Sequence, residues 1–343
     1  MADLKFSVCI PAYNRPEVLG TLLDSIIAQD YSNYEIVIGE DTSPRRNEIR
    51  SIAALYQKKY PERITYFENE HTLGFDANIR RLIEKAKGQY CFFMGNDDLI
   101  CPKALSTVSN ALDRYDNVGV VLRSYASFDD NPKKINQIFR YFREEKIFSS
   151  GSRTIINFFR RSVVISGMVI HRQTALLYST DQFDGTLLYQ VYLVANILAD
   201  MNGVYLPEIT VLYRNGGIPE FGNSKKEQGK FVPKDRTIES SLQFMHGMLG
   251  VAQYVEKTRK VKIYNSILRD IGNYSYPILA IQANQPFRLF LKYCFRLAEI
   301  GFWSNPLFYI YFVLIIMFRP RRIDKLIRAI KNKLGYTPEL SKI

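Results

Sequence analysis

Residues 7–43 read SVCIPAYNRPEVLGTLLDSIIAQDYSNYEIVIGEDTS, and the order of patterns in this stretch decides the fold. An apolar run over 6–10 stops at Pro11. Pro16 then opens a segment with Val18, Leu19, Leu22, Leu23, Ile26 and Ile27 on one helical face. Proline suits that first turn, where its missing N–H would have no partner anyway. A second apolar run over 35–39 ends in Glu40-Asp41-Thr42-Ser43. The alternation continues with a helix over 48–59, a strand over 63–67 and a helix over 75–86. A strongly apolar strand over 89–94, a helix from Pro102 and a strand over 118–122 follow. Such alternation predicts an α/β fold: a Rossmann-like, mostly parallel sheet with flanking helices.

Further along, residues 124–150 lose periodicity and gain charge, as in a variable loop or excursion. A buried strand is expected over 163–170, a helix over 187–199, an extended run over 204–213 and helices across much of 237–283. The 343 residues are 47% hydrophobic, enough for a sizeable core. The net charge of +12 is uneven: residues 284–343 carry eleven Lys/Arg and three acids. That placement argues against a general nucleic-acid groove and for an anionic surface met by the C-terminal segment. Cys9 and Cys91 sit in apolar runs, where free cysteine behaves as a small hydrophobe. With Cys101 and Cys294 they show no zinc-ligand spacing, and the start lacks an apolar signal region. The reading is a reducing, cytoplasmic compartment.

Residues 307–318 are twelve apolar positions in a row. Counted from Gly301 the stretch reaches 18, short of the ~20 that a spanning helix needs, and Pro306 interrupts it. Arg319-Pro320-Arg321-Arg322 follows, then Ile323, Leu326, Ile327, Ile330 and Leu334 on one face. Upstream, Arg288, Lys292 and Arg296 recur at i, i+4 and i+8 among aromatic and aliphatic residues. Basic faces beside apolar ones suit helices lying in a membrane interface. A spanning helix, or a helical subdomain packed on the core, are the alternatives.

Three polar clusters fall where strands end: Pro11-Ala12-Tyr13-Asn14-Arg15, Glu40-Asp41-Thr42-Ser43 and Gly95-Asn96-Asp97-Asp98. In an open α/β sheet ligands bind beyond those ends, so the clusters converge on one edge. Adjacent carboxylates there favour a hard divalent cation, Mg²⁺ or Mn²⁺, bridging to phosphates. The alternative is that Asp97 or Asp98 merely caps the next helix.

Residues 7–43, together with KGQYCFFMGNDDLICPKAL at 87–105, resemble family 2 glycosyltransferases of the GT-A fold, such as bacterial surface-polysaccharide and O-antigen sugar transferases. The resemblance is good over residues 5–123 and weak by about 215. It implies Tyr13 near the donor base, Asp41 accepting from that base, Asp97 near the ribose and Asp98 on the metal. Pro11 and Ala12 would shape the backbone around the nucleotide, with Gly74 and Asn78 on the sugar-phosphate side. Asn14, Arg15, Glu40 and Asn96 complete the nucleotide-sugar set. In the donor-binding set two positions depart from the family pattern: Glu40 replaces an Asp, and Asn96 replaces the first acid of the metal motif.

Inverting members carry a general base before a helix in the second half. Here Leu187 and Leu188 hold that place, and Asp184 is the expected substitute, with a turn or helix cap as its other reading. Gln190 is a candidate sugar contact, His171 a structural histidine, and Arg214 or Lys225 a phosphate partner in the Gly-rich loop over 213–224. The expected organisation is a catalytic domain over 1–225, a helical extension over 226–283 and basic, apolar membrane-associating helices over 284–343. Together these imply a metal-dependent, inverting transferase at the cytoplasmic face of a membrane. Its donor would be a nucleotide-sugar and its acceptor a polyprenyl-diphosphate-linked saccharide. A nucleotidyltransferase should carry a Gly-rich basic loop after strand one, which PAYNRPEVLG lacks. A non-catalytic membrane-associated nucleotide-binding scaffold is the remaining alternative.

Overall fold

In the computed structural model, which describes residues 4–340 apart from 218, 319, 338 and 339, strand and helix alternate through the first half of the chain. β1 (Phe6–Ala12), α1 (Pro16–Ile27), β2 (Tyr34–Glu40), α2 (Arg46–Lys59), β3 (Ile64–Glu68), α3 (Phe75–Lys85) and β4 (Tyr90–Phe93) come first. β5 (Leu99–Ile100), α4 (Ala104–Arg114), β6 (Val118–Phe128), β7 (Gln137–Phe139), β8 (Lys146–Phe148) and α5 (Ser152–Phe159) follow. β9 (Val169–His171), α6 (Arg172–Leu177), α7 (Tyr189–Asp200) and β10 (Asn202–Arg214) complete the sheet, in the order β3-β2-β1-β4-β9-β6-β10-β5. β7 pairs with β6 and β8 with β10 at its margins.

Successive strand residues point to opposite faces, and both faces are apolar. Val8 and Ile10 of β1, Ile36 and Ile38 of β2, and Phe92 of β4 face one core. That core is closed by Leu19, Leu22 and Leu23 of α1, Ile49 of α2 and Leu105 of α4. Cys9, Val37, Cys91 and Phe93 face the other, under Ile79 and Leu82 of α3 and the buried face of α7. Both cysteines are free, as a core position requires.

The parallel expectation holds for β3-β2-β1-β4 and for β6 with β10, but the sheet as a whole is mixed. β9 runs antiparallel to both β4 and β6, and β5 antiparallel to β10. An apolar run reports burial and not direction, so sequence alone could not reveal the reversal. The expected strand over 163–170 shrinks to Val169–His171. Gly167 at φ +77° turns the chain just before it. Residues 124–150 hold more structure than their charge implied. β6 continues, buried throughout, to Phe128: Ser124 Oγ meets Tyr205 Oη at 2.7 Å, and Arg123 donates from Nη2 to the Val164 carbonyl at 3.2 Å and lies 5.0 Å over the Tyr125 ring.

α8 (Ile238–Arg259), α9 (Tyr264–Asn273), α10 (Tyr276–Ala280), α11 (Phe287–Ile300), α12 (Pro306–Phe318) and α13 (Pro320–Leu334) continue the second core. Val251, Ile271, Leu297 and Ile323 belong to one apolar cluster with Ile79 and Leu193. α12 has 13 residues, so it spans only ~20 Å against a hydrocarbon thickness of ~30 Å. Among the described residues no helix is long and apolar enough to cross a membrane, which removes support for the spanning alternative. The chain start at 1–3, Arg319, the Arg321 side chain and residues 341–343 lie outside the described residues.

One buried carboxylate fixes how the layers join. Asp76, in the first turn of α3, accepts the backbone N–H groups of Thr186, Leu187 and Tyr189 at 2.8–2.9 Å. It thereby caps α7 from another element, satisfying donors that a helix start leaves orphaned. Burial pushes this carboxyl up to about 7, and the three donors offset part of that cost. Asp76→Ala should lower stability by about 3 kcal/mol, because buried donors lose their acceptor. Equilibrium urea unfolding will read this as a lower midpoint with unchanged slope; an unchanged midpoint would show that water replaces the carboxylate.

Candidate active site

β1 and β4 stay paired as far as Cys9 and Phe93, and beyond that register the chains part. A cleft of about 390 Å³ opens there, at the carboxyl ends of β1, β2 and β4. It is large enough for a small-molecule ligand. All three clusters expected at strand ends reach it: Pro11, Ala12, Tyr13, Arg15, Asp41, Asn96, Asp97 and Asp98 line it, as do Gly74 and Asn78. Asn14 and Glu40, expected with them, do not line it. Asn14 turns the chain at φ +59°. Glu40 is fully buried and folds back to accept the Ser43 N–H at 3.0 Å.

Asp41 is held by its surroundings. Its Oδ1 accepts from Asn69 Nδ2 and the Leu73 N–H, and its Oδ2 from the Gly74 N–H, all at 2.8 Å. Burial pushes its carboxyl up to about 6. An ionised carboxylate offers about four lone-pair sites, so one remains for a ligand N–H. Asn78 donates to the Gly39 carbonyl at 2.9 Å and fixes the same corner. Gly74 sits at φ +92° with Ser224 and Glu227 packed where a Cβ would project, so only glycine fits. Tyr13 is half-buried across the cleft, and Asn96 donates to its carbonyl at 3.2 Å.

The cleft floor is the Asp97–Asp98 pair. Asp98 is 2% exposed. Its Oδ1 accepts the Arg214 N–H at 2.8 Å, and its Oδ2 accepts from the Ser166 hydroxyl. Burial first, and the Asp97 charge second, raise its carboxyl to about 7. Asp97 forms an ion pair with Arg15, and Arg214 Nε donates to the Asp97 carbonyl at 3.0 Å. Among the described residues no group of three or more His, Cys, Asp or Glu side chains converges as a ready-made metal cage. Two carboxylates at the edge of an open cleft still fit a Mg²⁺- or Mn²⁺-type ion, which commonly takes one or two protein carboxylates and fills its shell with phosphate oxygens and water.

Sequence reasoning passed over the residues that roof the cleft. Glu227 is buried and accepts the N–H groups of Phe75 and Gly222, both at 2.9 Å, pinning the loop after β10 onto the start of α3. Glu220, Phe221 and Arg236 also line the cleft. The Gly-rich loop signal was present, but its long-range partner at Phe75, 152 positions away, was not. Lys225, weighed as a phosphate partner, is exposed and off the cleft, whereas Arg214 lines it. His171 pairs Nδ1 with Thr174 Oγ1 at 2.8 Å, a structural contact.

Asp184 is not among the residues lining the cleft. Arg80 grips its carboxylate with two donors at 2.6 and 2.8 Å and bonds the Thr180 carbonyl at 2.8 Å. The position expected for a base instead presents Leu187 and Gln190 to the cleft. Gln190 donates to the Val163 carbonyl at 3.1 Å, and its buried Oε1 has no partner among the described residues.

Comparison with known proteins identifies a family and a fold. The sequence model described as Glycosyl transferase family 2 matches residues 7–173. Abequosyltransferase RfbV of Salmonella typhimurium is 33% identical over 107 residues, 31% of this chain and 32% of that protein. The Campylobacter jejuni GalNAc(5)-diNAcBac-PP-undecaprenol beta-1,3-glucosyltransferase is 32% identical over 105 residues, 30% of this chain and 33% of that one. The chain spans about half the length, or less, of the curated relatives it matches. Among solved structures, Staphylococcus aureus TarS 1–349 in complex with UDP-GlcNAc superposes with a TM-score of 0.60 at 15% identity, covering 86% of this chain and 80% of that one. Residues 7–173 are therefore a glycosyl transferase family 2 domain, set in an α/β, GT-A-like fold with a mixed sheet.

Proposed function

We propose that the chain moves a sugar from a nucleoside-diphosphate donor to a lipid-linked saccharide, with inversion at the anomeric carbon, in building a surface polysaccharide. The observation that carries this reading is the cleft in which Tyr13 and Asp41 stand at one end and the Asp97–Asp98 pair at the floor. The undecaprenol-linked name of the Campylobacter relative supports the lipid-linked acceptor, and the UDP-GlcNAc complex of the structural neighbour supports a nucleotide-sugar donor.

Tyr13 would lie against the base, and the open lone pair of Asp41 would accept a ring N–H. Asp98, with Asp97 beside it, would hold a divalent cation that supplies Lewis-acid stabilisation of the departing diphosphate. Arg15 is paired with Asp97. A donor diphosphate offers its guanidinium a second anion, so the pair can open and release Asp97 toward the ribose. Arg214, anchored to the Asp97 carbonyl, adds positive charge at the same end. Gln190 Oε1 is placed to accept from a sugar hydroxyl. The acceptor hydroxyl oxygen attacks the anomeric carbon, the nucleoside diphosphate leaves with the bonding electron pair, and the hydroxyl proton passes to water. Asp184 is occupied by Arg80 and takes a structural part in this scheme, not that of the base.

Asp98→Ala should abolish transfer while leaving the thermal midpoint within a few degrees of wild type; full activity in that variant, with chelator present, would remove the metal role. Asp41 gives a pH test. Its ionised form is the acceptor, so donor affinity should rise as pH passes upward through about 6. Asp41→Asn should flatten that profile in a binding titration, and a profile equally steep in the variant would assign the titration elsewhere. Asp184→Asn should cost about 1–3 kcal/mol of stability and keep kcat within ~3-fold. A loss of at least ~100-fold in kcat with unchanged melting would make Asp184 the base after all.

A further inference from the structure

The C-terminal helices leave a large apolar surface uncovered. Phe295 on α11 is 65% exposed, Trp303 in the turn that follows is 67% exposed, and Met317 on α12 is 65% exposed. Ile310, Leu326 and Ile330 extend the exposed apolar surface along α12 and α13. Scattered exposed hydrophobes need no explanation, but several on three consecutive helices mark a surface that meets something. The opposite faces of the same helices are buried: Phe290, Leu297, Phe302, Phe308 and Ile315 pack into the second core. Tyr276 Oη donates to Asp324 at 2.7 Å, so α13 is tied to the body of the protein. The apolar surface is thus preformed.

Charge selects the occupant. Arg288, Lys292 and Arg296 are exposed on α11 among the exposed apolar residues, and Lys325 and Arg328 are exposed on α13. Residues 284–343 hold eleven basic residues against three acids. A second copy of the chain would bring two like-charged faces together, which repel. A neutral apolar partner would leave the basic side chains unpaired. An anionic lipid surface satisfies both: the apolar side chains enter the acyl boundary, and the guanidinium and ammonium groups stay at the headgroups. Trp303 has the amphipathic ring favoured at that depth.

We propose that α11, the Phe302–Ser304 turn, α12 and α13 form a monotopic docking surface for an anionic bilayer. The surface lies on it without crossing. This inference does not rest on the sugar-transfer reading, since lipid binding is measured with neither donor nor acceptor.

The test is flotation of the full chain with phosphatidylcholine vesicles, with and without phosphatidylglycerol, at low and high salt. The chain should float with the anionic vesicles and bind less as salt rises. Phe295→Glu combined with Trp303→Glu changes only exposed positions and should cut the bound fraction at least ~10-fold, with melting and circular dichroism unchanged. Lys292→Glu with Arg296→Glu should also weaken binding and flatten its salt dependence. Absence of flotation with either vesicle, or variants that float like wild type, would overturn the proposal. So would a dimer, seen by light scattering, that the aromatic variants dissociate.

Discussion

Two carboxylates side by side in the cleft set the terms for the rest of this molecule. Asp98 is buried, and the charge of Asp97 beside it adds to the cost of ionising it. The fold gathers partners from several elements to hold it there. Ser166 comes from the turn before β9, the Arg214 amide from the end of β10, and Arg15 from the loop after β1 meets Asp97. Removing one donor would leave the charge pair less compensated. The proposed ligand, a diphosphate carrying a divalent cation, would meet that charge, which a neutral sugar would not.

The first half of the fold was legible because its signals are local. Apolar runs, proline at the start of α1 and helical spacing on α3 each report their own segment, and the first four strands lie side by side in the order β3-β2-β1-β4. The candidate site was legible for the same reason: Tyr13, Asp41, Asp97 and Asp98 each follow an apolar strand. What sequence could not give depends on contacts made at long range. The reversal of β9 leaves no trace in a short run whose apolar residues report burial and not direction. Asp76 reads as an ordinary first-turn acid, yet it caps a helix start 110 positions away. Glu227 reads as a loop residue, yet it pins that loop over the cleft. Asp184 sits near the expected place for a base, and only the geometry reveals that Arg80 already holds it.

Asp76 also takes over the capping of α7 beside Leu187 and Leu188. A helix start needs acceptors for its first N–H groups, and an acid near that start commonly supplies one. Here α3 provides the carboxylate from below, leaving Leu187 and Leu188 free to be apolar. The C-terminal helices extend the same core that α7 borders, so the catalytic cleft and the exposed apolar face are parts of one packed body. A surface held that firmly fixes how the cleft stands relative to whatever the surface meets.

The central claim is that Asp97 and Asp98 form half of a metal site and that a diphosphate completes it. Electron paramagnetic resonance of Mn²⁺ with the full chain tests this most directly, by following free Mn²⁺ as a nucleoside diphosphate is titrated. The account predicts weak Mn²⁺ binding by the chain alone, a steep gain when diphosphate and protein are both present beyond that of diphosphate in buffer, and loss of that gain in Asp98→Asn. Mn²⁺ binding that is indifferent to the diphosphate, or unchanged in Asp98→Asn, would contradict it.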